Sequence, residues 1–83
     1  MNLGKNIKTL REAHGLSQNK LAESVGIAQS KISDMERGAT LIGRLATLQK
    51  LANFFGLEKP DDLFNEEVVA GIAEGIKRYR ERN

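Results

Sequence analysis

Eighty-three residues, 40% of them hydrophobic and 29% charged, describe one small domain with a modest core, to which pairing with a second copy would add stability. No cysteine is present and His14 is the only histidine, which excludes disulfides, thiolate metal sites and a His-rich metal centre; no metal and no cofactor is expected. The longest run of apolar or glycine residues, 68–73, is far below the roughly 18 residues of a membrane span, and no signal-peptide pattern appears, so the expectation is a cytoplasmic protein with no membrane role.

In chain order, the sequence predicts helices joined by short turns, with no strand alternation, repeat or low-complexity segment. Leu3, Ile7, Leu10 and Ala13 form one apolar stripe closed by Gly15, and His14, at the end of that helix, suits a contact with its C-terminal dipole. Ser17 is the next N-cap. Leu16 before it can pack on Leu21 as a hydrophobic staple, although Lys20 stands where a capping box wants Glu or Gln. The following helix carries Leu21 and Val25 on one face, with Ala22 small enough for another helix to cross close over it, and Gly26 can take the positive φ of a sharp turn. The next helix starts near Ala28. Ile27 or Ala28 stands in place of a capping Ser, Thr, Asp or Asn, a loss of about 1 kcal/mol that a phosphate at the exposed amides could offset. At about 100° per residue, Ala28, Ile32 and Met35 face inward on it, while Gln29, Ser30, Ser33, Asp34 and Arg37 face outward.

Leu45, Leu48, Leu51, Ala52 and Phe55 make a fourth helix closed by Gly56, and Pro60 with Asp61 and Asp62 opens a short fifth. Asn65 caps a tail helix whose first turn holds Glu66 and Glu67 and whose far end holds Lys77, Arg78, Arg80 and Arg82, so both ends complement its dipole. Charge divides unevenly along the chain. Residues 1–57 carry +4 (eight Lys or Arg against four Asp or Glu), residues 58–76 carry −5 (one against six) and residues 77–83 carry +3 (four against one). The basic first part favours a polyanionic partner, although the same charge would serve equally as a solubilising surface.

Residues 18–37, QNKLAESVGIAQSKISDMER, resemble the helix-turn-helix of the phage-repressor and Cro-type (XRE-like) family at Gln18, at the pairs Leu21-Ala22 and Val25-Gly26, at Ile32 and at the closing Glu36-Arg37-Gly38. The likeness extends over Leu3–Ala13, Leu45–Phe55 and Pro60–Phe64, and only the tail from Asn65 onward lies outside it. It implies an all-α fold: a compact five-helix lambda-repressor-like DNA-binding domain in residues 1–64, with an additional C-terminal helix in residues 65–83. It further implies a nucleoid-associated, sequence-specific transcriptional regulator, a repressor that binds a palindromic operator as a homodimer and has no catalytic activity. Two other readings stay open: an antitoxin-type autoregulator whose tail captures a protein toxin, and a protein-interaction adaptor on the same fold. An acidic or strongly apolar recognition face would favour the adaptor, and this one is polar.

An α-helix fits the major groove of B-form DNA, where base edges differ in their donors and acceptors. Gln29, Ser30, Ser33 and Asp34 are the expected readers. The Gln29 amide can both donate to and accept from adenine, and the matched family position often touches bases; Asp34 can accept from cytosine or adenine amino groups, or repel wrong sites. Gln18, Lys31, Arg37, Thr40 and Arg44 are the expected phosphate contacts. Lys5, Lys8 and Lys20 read as solvated charge. The resemblance gives Arg11 and Glu36 another role, a buried structural ion pair. In the tail, Val69, Ile72, Ile76 and Tyr79 recur at three- and four-residue steps with Val68 and Ala73 at their edge, a stripe that must be buried. It can fold back on the fourth and fifth helices or join two copies, and the family's pairing on two-fold operators tips the expectation towards a dimer.

Overall fold

The apolar stripe of the first helix fixes the centre of the molecule. In the computed structural model, which describes residues 3–38 and 45–82, Leu3, Ile7, Leu10 and Ala13 on α1 (Leu3–Ala13) are all buried. Four more α-helices and one 3-10 helix follow: α2 (Gln18–Val25), α3 (Gln29–Arg37), α4 (Leu45–Phe55), the 3-10 helix Pro60–Phe64 and α5 (Glu66–Arg82). No strand occurs among the described residues, so the all-α expectation stands.

α1 packs against both α3 and α5. It reaches α3 closely because position 4 is glycine: a Cβ there would lie 2.3 Å from the Met35 carbonyl oxygen and 2.8 Å from that of Glu36. The fully buried Leu21, Ile32, Met35, Leu51, Leu63 and Val69 join Ile7 and Leu10 in one core. Asn6, itself buried, donates from Nδ2 to the Leu63 carbonyl at 2.8 Å and ties the 3-10 helix to α1. A buried amide without that partner would cost on the order of 1–3 kcal/mol.

α5 lays most of its stripe against the chain's own core. Asn65 caps it as expected, accepting from the Glu67 and Val68 amides at 3.0 and 3.2 Å. Val69 and Ala73 are then buried in the chain's own core, and Ile72 and Ile76 pack half-buried against it. Tyr79 alone of that stripe lies mostly exposed. Burying Val69 is worth about 1.5–3 kcal/mol, so the stripe completes the domain from within. At its far end Arg80 donates from Nη1 to the Ala13 carbonyl at 2.8 Å, a cation on the C-terminal end of α1.

His14 was expected in that helix-end role. Instead its ring lies 5.7 Å from Phe54 and 5.4 Å from Phe55, and its Nε2 is buried with no hydrogen-bond partner among the described residues. Burial, and then the nearby charge of Arg80, hold its pKa below the ordinary value. A neutral imidazole cannot act as the cation, and Arg80 takes the place.

Candidate nucleic-acid interface

The two helices of the turn are set by local chemistry. Ser17 Oγ accepts from the Lys20 amide at 3.0 Å and starts α2; Gly26, at φ 82°, stops it. Both Gly26 and Ile27 donate their amides to the Ala22 carbonyl, at 2.8 and 3.1 Å, which closes the turn tightly enough for α3 to begin after Ala28. Ala28 supplies no side-chain cap, as the sequence indicated. The first amides of α3 are therefore left for another acceptor.

α3 buries Ile32 and Met35 and turns its other side outward. Gln29 and Ser30 are exposed, and Ser33, Asp34 and Lys31 are half-buried. Arg37 is exposed, but its Nη2 lies 2.5 Å from Asp34 Oδ1. An expected base reader and an expected phosphate contact thus hold each other. Thr40 and Arg44 lie outside the described residues.

Behind this face runs a chain of charged and amide groups that spans three helices. Arg11 on α1 donates from Nε to Glu36 Oε2 at 2.7 Å and from Nη2 to Glu36 Oε1 at 3.0 Å, a forked contact with both carboxylate oxygens. Its third nitrogen, Nη1, donates to the Leu16 carbonyl at 2.8 Å and secures the loop between α1 and α2. The two side chains are only 12% and 5% exposed, and the hydrogen bond to Glu36 raises the Arg11 pKa despite burial. Glu36 Oε1 also accepts from Gln18 Nε2 at 3.1 Å, and Gln18 Oε1 accepts from Gln29 Nε2 at 2.9 Å.

The structure therefore brings Arg11, Glu36, Gln18 and Gln29 into one line. The side chain of Gln18, expected at a phosphate, links the ion pair to Gln29. The sequence carried a trace of this link, since Gln18 and Gln29 open the two successive helices and their first turns face each other across the bend. Gly4 was missed altogether. A glycine inside a helix costs about 1 kcal/mol against alanine, and that cost in an otherwise regular stripe is the signal of a close approach.

The Helix-turn-helix family matches residues 7–63, which hold all four members of this line. The chain belongs to that family. It is also similar to two curated relatives, each described as HTH-type transcriptional regulator PuuR, from Escherichia coli (strain K12) and from Shigella flexneri. Each is 37% identical over 68 aligned residues, which take in 71% of this chain and 36% of the relative. The chain thus spans about a third of their length. No solved structure matches it.

Proposed function

We propose that this helix-turn-helix chain carries the DNA-reading module of a transcriptional regulator, a repressor that occupies a palindromic operator as a homodimer at the nucleoid. α3 enters the major groove with Gln29, Ser30, Ser33 and Asp34 towards the base edges, and Lys31, Arg37, Arg44, Thr40 and the amide end of α2 at Gln18 meet phosphates. The observation that carries this reading is the hydrogen bond from Gln29 Nε2 to Gln18 Oε1. A glutamine amide has two N–H donors and one carbonyl acceptor. With one donor held by Gln18, the other and the carbonyl remain for a two-point contact with adenine N7 and N6.

The arrangement would select sequence because its reader is held before DNA arrives. Arg11 fixes Glu36, Glu36 fixes Gln18 and Gln18 fixes Gln29, so fewer side-chain rotamers have to be frozen on binding. The names of the PuuR relatives point to the same role in transcription.

Selection of bound sequences from a random DNA pool tests the proposal. The expected product is a two-fold motif whose half-sites lie about 34–36 Å apart, with adenine at the position Gln29 reads. Gln29→Ala is expected to lose about 5- to 150-fold in affinity for that motif, the equivalent of 1–3 kcal/mol, while keeping its affinity for random DNA. Failure to enrich any motif, or equal losses on both kinds of DNA, would overturn it.

A further inference from the structure

The last four carbonyls of a helix have no partner among its own amides and must find one beyond it. In α1 these belong to residues 10–13, and the residues that follow serve three of them. The amides of His14, Leu16 and Gly15 donate to the carbonyls of Leu10, Arg11 and Glu12 at 3.1, 3.1 and 2.9 Å. The carbonyl of Ala13 is served from far along the chain, by Nη1 of Arg80, 67 positions away in sequence. The shape of the guanidinium matters as well as its charge. A Cβ at Gly15 would lie 2.6, 2.8 and 2.9 Å from Nη2, Cζ and Nη1 of Arg80, so this planar group rests on bare backbone. Gly15 also stands at φ 71°, so glycine is required there twice over. Arg11 meanwhile donates from Nη1 to the Leu16 carbonyl at 2.8 Å. Two arginines, one on α1 and one on α5, thus hold the loop 14–17.

We infer that Arg80 is a positioning residue for the reading head: it holds the end of α1 and the backbone of Gly15, which sets where α2 starts and so where Gln18 presents Gln29. This deepens the DNA-reading function proposed above and rests on it. The path is short and continuous. Ser17, at the end of the loop, caps α2 through the Lys20 amide, and Gln18 follows it directly and bonds Gln29 at 2.9 Å. Arg11 fixes this path from the carboxylate of Glu36, and Arg80 fixes it from the tail. The end of α5 cannot shift along α1 without releasing the Ala13 carbonyl, so a helix that holds none of the expected readers is tied to the face that reads. Lysine in place of Arg80 would supply the cation and a donor for that carbonyl, but no planar group to rest on Gly15.

Arg80→Met and Arg80→Lys in the full chain test this, with anisotropy titrations at several salt concentrations on the duplex recovered by selection and on random-sequence duplex. Amide exchange followed by NMR, well below the unfolding midpoint, reads the loop itself. Arg80→Met should lose about 2- to 30-fold on the recovered duplex and less on random DNA, with the salt slope unchanged because no phosphate contact is removed. The amides of Leu16 and Lys20 should exchange faster in it, by more than the change in global stability accounts for. Arg80→Lys should recover part of both effects. Gly15→Ala should cost less stability in the Arg80→Met background than in the parent, since only the parent sets the new methyl group against a guanidinium. A lower unfolding midpoint with the ratio of the two affinities intact would make Arg80 a brace and overturn the inference. A salt slope lowered by roughly one unit would make it a phosphate contact and overturn it equally. Loop amides that loosen in Arg80→Met while the parent enriches no duplex would uphold the hold of Arg80 on α2 and sink the DNA-reading function instead.

Discussion

Replacing Arg11 with methionine separates the scaffold from the reading head. The change removes both donors to Glu36 and the donor to the Leu16 carbonyl, and leaves a carboxylate that is 5% exposed with Gln18 Nε2 as its one remaining partner among the described residues. An uncompensated buried charge of this kind costs about 3–5 kcal/mol. A domain of this length has roughly 4–12 kcal/mol of stability in total, so Arg11→Met takes a large part of it. Removing both charges is far milder: Arg11→Met with Glu36→Met leaves only the Leu16 carbonyl without its donor, a loss of about 1 kcal/mol. Urea unfolding followed by circular dichroism gives the four corners of the cycle, with an expected coupling of at least about 2 kcal/mol. The double variant should fold and still discriminate poorly among DNA sequences, because Gln18 has lost the acceptor that holds it under Gln29. An Arg11→Met loss below about 1 kcal/mol, or single losses that simply add, would refute the argument that this pair is buried and coupled.

Four further expectations follow from particular contacts. Gly4→Ala should destabilise by about 1–3 kcal/mol in urea unfolding although alanine is the better helix former, because the new Cβ would meet the Met35 carbonyl. Burial, and then Arg80, keep the folded His14 pKa below 6.5, so the unfolded chain takes up the proton first. The stability His14 contributes is therefore complete above pH about 6.5 and falls, by at most about 1.4 kcal/mol per pH unit, as the pH drops through the folded value; His14→Phe should remove that slope from unfolding midpoints. Asp34→Ala frees Arg37 and should tighten binding to random DNA with a steeper salt dependence, whereas Arg37→Ala should lower the salt slope by roughly one unit, both measured by anisotropy at several salt concentrations. Ending the chain at residue 65 removes Val69 and Ala73 from the core and Arg80 from the end of α1, and thermal unfolding of the product should lose its cooperativity.

Local rules carried most of the fold. The stripes on α1, α2 and α4, the caps at Ser17 and Asn65 and the stop at Gly26 depend on residues within a turn of one another, and each occurs where periodicity and capping chemistry require it. What was not legible depends on contacts distant in sequence. Gly4 looks like a weak point in a helix until α3 arrives over it from about thirty positions along. His14 and Arg80 look interchangeable as helix-end cations, and only the rings of Phe54 and Phe55 decide that the histidine is buried and the arginine takes the carbonyl. The tail posed the same difficulty. Its periodicity demands burial but does not say by what, and only the core that closes over Val69 and Ala73 decides it.

Within the reading face the energetics are graded. Glu36 and Arg11 are buried and cannot change singly without a large loss of stability, while Gln29 and Ser30 are exposed and can change at small cost. Gln18 stands between, one oxygen on the reader and one nitrogen on the ion pair. The order of burial along the line is thus an order of tolerance to substitution. A helix built this way can acquire a new preferred sequence through its outermost residues while the inner pair keeps any replacement at position 29 in register with the groove. Substitutions at positions 29 and 30 should therefore alter which DNA is bound without moving the unfolding midpoint, and those at positions 11 and 36, made singly, should lower that midpoint.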